Sequence, residues 1–156
     1  MTTAQAGAAR ESAVGHRSIE GTLGGPLLQF DLAGELDQLH RDASWLQPTG
    51  RSSKTLVKHT DLRIVVIAMK ANTRMHEHSA AGRISVHSLK GHIRLHLPQQ
   101  VVDLPAGQLL ALDQCIPHDV EAVEDSAFLL TLSWPAEAKH VGTKPRKKKT
   151  VRHKRK

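Results

Sequence analysis

The sequence predicts an all-β barrel or sandwich preceded by one short helix, and three observations carry that reading. Eight short runs with strand character follow one another between residues 55 and 134. Turn chemistry separates them, and the connections are too short for the crossovers that parallel strands require. With 156 residues, 39% of them hydrophobic, the chain is sized for one core and one domain.

Residues 1–26 are rich in Ala, Thr, Ser and Gly, show no sustained period and end on Gly24-Gly25-Pro26. A flexible lead-in is expected there. From Asp31 the apolar residues Leu32, Leu36, Leu39, Ala43 and Leu46 recur at alternating spacings of four and three, one stripe of an α-helix. The stripe predicts a helix over 31–46, with Asp31 as N-cap and Pro48 and Gly50 as its stop.

The strand-like runs are Thr55–His59, Leu62–Met69, Ile84–Leu89, His92–Leu97, Val101–Leu104, Gln108–Leu112, Asp119–Val123 and Ala127–Trp134. Lys90-Gly91 separates two of them, Leu104-Pro105-Ala106-Gly107 has the residues of a type II turn, and Glu124-Asp125-Ser126 precedes the last. The expected domain runs over 27–137, its barrel over 54–134, and 138–156 forms a basic disordered tail. No internal repeat is visible beyond the hairpin rhythm.

The overall formal charge of +7 conceals an asymmetry. Residues 144–156, KPRKKKTVRHKRK, hold nine basic residues and no acid: Lys144, Arg146, Lys147, Lys148, Lys149, Arg152, Lys154, Arg155 and Lys156. Without them the charge is −2, so the folded part is slightly acidic. Such a run attracts nucleic acid or another polyanion by counterion release, without sequence preference. It contains no aromatic residue to stack on bases.

The longest apolar stretches, Ile64–Met69 and Leu109–Leu112, fall far short of the roughly 18 residues of a transmembrane helix, so no membrane span is expected. The N-terminus lacks a secretory apolar region and there is one cysteine, which points to a reducing cytoplasm. There is no G-x-S-x-G elbow and no phosphate-binding glycine loop, which argues against a serine hydrolase or a nucleotide enzyme.

His76 and His78 flank one residue in RMHEH. In extended backbone residues i and i+2 project to one face, so both imidazoles can converge on one ion. His118, behind Ile116-Pro117, offers a third imidazole, and three neutral histidines make an open site for a divalent metal such as Zn, Fe, Mn or Ni. Cys115 sits three residues earlier, as a small buried residue or a thiol lining the same site, and Asp119 is placed to support His118. Arg83 offers a guanidinium fork for a ligand carboxylate or phosphate. His59, His92, His96 and His140 show no ligand spacing beyond the fallback pair His92 and His96 on one strand face.

The stretch from Leu62 to Trp134 resembles the two motifs of a small single-domain cupin. His76, His78 and Gly91 match the first motif, and Pro105, Gly107, Pro117 and His118 match the second. The resemblance implies a jelly-roll barrel with a metal or small ligand at its mouth, and a homodimer as a common assembly. It also exposes a departure: the family's acidic ligand falls near Arg83 or Ile84, which supply no carboxylate, and His87 on the same run has the opposite strand parity. With three ligands at most and no evident general base besides histidine, a binding or sensing module is favoured over an enzyme. A metal-dependent dioxygenase or isomerase is the alternative, and a structural barrel tethered to nucleic acid by its tail is the second.

Overall fold

The computed structural model describes residues 25–134. The expected helix is there, in two pieces. Asp31 caps α1 (Leu32–Arg41) by accepting a hydrogen bond from the Ala33 N–H at 3.1 Å. At Asp42 the backbone turns extended, with φ −66° and ψ 143°. Its N–H donates to the carbonyls of Gln38 and Leu39, and its carboxylate accepts from the Ser44 N–H at 2.8 Å, opening α2 (Ala43–Leu46). An aspartate side chain competes with the helical ladder for backbone donors, so one residue ends the first helix and caps the second.

Nine strands follow rather than eight: β1 (Arg51–Lys58), β2 (Leu62–Met69), β3 (Arg74–His78), β4 (Arg83–Lys90), β5 (His92–Leu97), β6 (Gln100–Pro105), β7 (Leu109–Leu112), β8 (His118–Ala122) and β9 (Ser126–Ser133). They form two sheets, ordered β1-β2-β9-β4-β7 and β3-β8-β5-β6, and all pairings are antiparallel. The additional strand is β3, RMHEH, where Met75 is the one apolar residue and alternation gives no signal.

The core lies between the sheets. Ile67 and Met69 of β2, Ile84 and Val86 of β4, Ile93 and Leu95 of β5, and Phe128 of β9 form its centre. The alternate residues of β2, Val66 and Ala68, point the other way and are buried with Leu39 of α1 and with Leu56 and Val57 of β1. Both faces of β2 are therefore covered, which is why its sequence LRIVVIAM reads as a nearly unbroken apolar run. A bulge between Thr55 and Val57 brings Leu56 and Val57 into the same outer cluster despite their adjacency. Among the described residues no helix is long and apolar enough to cross a membrane. The expected flexible segment 1–26 lies outside the described residues except at its end, and the tail 138–156, with the nine basic residues from Lys144 to Lys156, lies wholly outside them.

Candidate ligand site at the barrel mouth

One end of the barrel gathers residues from both sheets. In the first sheet, Leu62 at the start of β2 faces Ser133 at the end of β9, and Ile84 at the start of β4 faces Leu112 at the end of β7. In the second, His78 at the end of β3 faces His118 at the start of β8. Loops 79–82 and 113–117 cross between the sheets here, stitched by the Cys115 N–H donating to the Ala80 carbonyl at 2.8 Å.

His118 is 4% exposed and shares its strand parity with the core residues Val120 and Ala122, so its ring faces inward. The ring of His78 lies beside it, with centroids 4.5 Å apart and planes at 59°. Each imidazole is anchored by a carbonyl two residues back: Nδ1 of His78 meets the His76 carbonyl at 2.8 Å, and Nδ1 of His118 meets the Ile116 carbonyl at 2.9 Å. A carbonyl only accepts, so Nδ1 is the donor in both rings, and in a neutral imidazole Nε2 is then the acceptor.

His76 does not join this pair. The register shifts between Met75 and His78, so one extra residue is inserted and the i, i+2 rule fails across it. Met75 packs inward against the core opposite Val120, and Arg74 faces Glu121 on the outer surface. His76 follows the parity of Arg74, close enough to Asp119 for its positive form to favour that carboxylate. Among the described residues no three His, Cys, Asp or Glu side chains are grouped to hold a metal ion. The donor set is two imidazoles, where open metal sites draw on three protein ligands, and as arranged it does not fit a resident metal.

The other sequence candidates sit at the rim or outside it. Arg83 is 67% exposed and binds Asp113 through Nε at 2.9 Å, pointing away from the side of Ile84. Asp119 faces the outer surface, where Arg74 grips it through two contacts of 3.0 and 2.6 Å. The guanidinium holds the Asp119 carboxyl below the usual carboxylate range, and the support of His118 comes from the Ile116 carbonyl instead. Cys115 is exposed, with a left-handed φ of 61°, where a buried residue was expected. His92 and His96 lie on the outer face of β5, bound to Asp103 at 2.9 Å and Glu121 at 2.8 Å. His87 has the parity opposite to Ile84 and Val86, away from the core, as its spacing predicts.

Sequence reasoning passed over Arg63 and Trp134. Arg63 has the inward parity of Val65, Ile67 and Met69 at the open end of β2. Its Nε is buried without a hydrogen-bond partner, and its guanidinium carbon lies 5.6 Å from the Trp134 ring centroid. The one available signal was an arginine interrupting the apolar run LRIVVIAM on its core-facing parity.

Solved structures share this architecture. A conserved protein of unknown function from Streptococcus pyogenes is 29% identical with a TM-score of 0.54, over 58% of this chain and 79% of that one. A cupin 2 conserved barrel domain protein from Leptotrichia buccalis is 26% identical with a TM-score of 0.53, over 56% of this chain and 43% of that one. A cupin superfamily protein from Desulfitobacterium hafniense, 15% identical with a TM-score of 0.53 over 55% and 78% of the two chains, shares the fold. No protein-family profile and no curated protein matches the sequence. With its two antiparallel sheets closed around one core and these likenesses, the chain has the jelly-roll barrel fold of the cupins.

Proposed function

We propose that the protein is a binding or sensing module that takes a small molecule into the barrel mouth, with His78 and His118 as its recognition pair. The observation that carries the reading is the matched state of the two rings, each with Nδ1 satisfied by a carbonyl and Nε2 left for a ligand. Both lone pairs accept hydrogen bonds from ligand hydroxyl or ammonium groups. Two imidazoles fall short of the ligand count that metal-dependent dioxygenase or isomerase chemistry draws on, which favours binding over catalysis.

The test is bound metal measured by mass spectrometry on untagged protein, with uptake of Zn, Mn, Fe and Ni, beside histidine 15N spectra recorded during a small-molecule screen. A metal-free protein whose His78 and His118 signals move together on ligand addition, and whose ligand is lost in His78→Ala, is the expected result. Near-stoichiometric metal that disappears in His76→Ala/His78→Ala would replace this reading with a metal site.

The basic run supports a second, separable property. Nine positive charges in thirteen residues favour retention on nucleic acid at low salt. Removal of 144–156 is expected to abolish that retention and leave the histidine signals untouched; sequence-preferring duplex binding by the shortened chain would refute it.

A further inference from the structure

We propose that the protein has a second small-molecule site, at the end of the barrel away from the mouth, and that it takes a free α-amino acid with an apolar side chain. The site is a cavity of about 270 Å³ lined by His40, Trp45, Lys90, Asp125 and Ser126. Four segments meet there: the last turn of α1, the short helix α2, the end of β4 and the turn from β8 into β9. Ser126 faces Met69 and Lys90 faces Ala127 at this end of the sheet, whereas the mouth lies at the other end of β9, by Ser133. The site is therefore independent of the histidine pair. Its volume falls just below the range of about 300–1,000 Å³ that holds drug-sized ligands, which suits a molecule of amino-acid size.

The charges on the wall select the ligand. Lys90 and Asp125 are both exposed, and among the described residues neither pairs with the other or with any further side chain. One ammonium and one carboxylate thus border a single cavity without meeting. An anion alone would answer Lys90 and be set against Asp125, and a cation alone would do the reverse. A zwitterion answers both, its carboxylate on Lys90 Nζ and its ammonium on the Asp125 carboxylate. The aspartate is already positioned, because its Oδ1 accepts the Ala71 N–H at 2.8 Å and leaves Oδ2 for the ligand.

The rest of the wall is held in place. Trp45 is half-buried against the outer cluster of the core. It meets the His40 ring in a T-shaped contact with centroids 4.6 Å apart, and Lys70 Nζ lies 5.4 Å from its ring centroid. These neighbours fix the indole as a rigid surface. An apolar ligand side chain gains by covering it, and an ionised one would lose solvation without finding a partner there. The Ser126 hydroxyl accepts the His92 N–H at 3.0 Å and donates to the Glu124 carbonyl at 2.7 Å, so it shapes the turn instead of meeting the ligand.

The test is a titration of full-length, 15N-labelled protein with L-alanine, L-valine and L-leucine, reading the Trp45 indole N–H and the Ala71 amide, which reports on Asp125. Two further probes, 4-methylpentanoate and 3-methylbutylamine, are leucine without its ammonium and leucine without its carboxylate. The expected result is saturable movement of both signals with at least one amino acid, while the His78 and His118 ring signals stay still. Each truncated probe is expected to bind about tenfold or more weakly than leucine, and Lys90→Gln and Asp125→Asn to weaken amino-acid binding by about as much. Both variants are expected to keep the fold, because Lys90 is exposed and an asparagine oxygen still accepts the Ala71 N–H. Equal affinity for leucine and either truncated probe would overturn the zwitterion, as would undiminished binding in Lys90→Gln. Amino acids that move only the mouth histidines, or that leave the Trp45 and Ala71 signals unmoved, would overturn the site.

Discussion

His78 and His118 are partners at the mouth and unequal in the fold, and replacing each by alanine separates the two roles. His118 is 4% exposed, and its Nδ1–H donates to the Ile116 carbonyl. His118→Ala removes that hydrogen bond, worth about 1 kcal/mol net, and most of a buried ring. The cavity opens onto the mouth and admits water, so its cost lies at the bottom of the range for core truncations, and the sum is about 2–3 kcal/mol. His78 is exposed, and its anchor is a carbonyl two residues back on its own strand. His78→Ala should cost no more than about 0.5 kcal/mol. Urea unfolding followed by the fluorescence of Trp45 and Trp134 measures the difference. With a slope of about 2 kcal/mol per molar urea, His118→Ala should move the midpoint down by about 1 M or more, and His78→Ala by no more than about a quarter of that. Equal losses would show that the inward placement of His118 is wrong. With it would fall the claim that β8 aims an imidazole into the barrel.

Two glycines at positive φ offer a matched comparison. Gly91 (φ 72°) and Gly107 (φ 87°) both hold conformations that L side chains rarely adopt. A Cβ at Gly91 would stand 2.4 Å from the Asp125 carbonyl oxygen, whereas one at Gly107 would meet nothing within 4 Å. Gly107→Ala should cost about 1 kcal/mol and Gly91→Ala about 2 kcal/mol more, checked by chemical denaturation; equal losses would mean that the β4–β5 turn yields freely. Acid should weaken the outer face of the β3–β8 pair. The Arg74 hydrogen bonds, with Coulomb attraction from Arg74, His96 and His76, lower the Asp119 pKa in the folded state. The stabilisation is therefore complete above the ordinary carboxylate value of about 3.9 and is lost as pH falls through the lower folded value. Unfolding midpoints of the parent should fall more steeply below about pH 4 than those of Asp119→Asn, and parallel pH profiles would rule out this origin.

Much of the barrel was legible because its signals are local. β2 and β9 announce themselves as apolar runs. Gly91 sits in the expected turn between β4 and β5, and the turn expected over Leu104–Gly107 forms one residue later, closed by the Gln108 N–H donating to the Pro105 carbonyl at 3.2 Å. The break at Asp42 was hidden because the apolar stripe continues across it; periodicity reports which residues are apolar, not whether a side chain has taken the backbone's donors. β3 was invisible for a related reason. It buries little of its own, and its identity as a strand comes from pairing with β8, more than forty residues later.

The same strand decides what the mouth is made of. The step from an HxH pattern to a metal site assumes a flat strand, where parity alone assigns faces. In a sheet, one inserted residue transfers everything beyond it to the opposite face. The bulge after Met75 keeps His76 on the outer surface beside Asp119 and turns His78 inward to His118, so a pattern that reads as two converging donors contributes one. The inverse holds on β2, where no irregularity intervenes and parity carries Arg63 to the core side of an apolar strand. Register thus moves a histidine out of the site and brings an arginine into it. The mouth is left with two imidazoles, one short of the three protein ligands that open metal sites draw on.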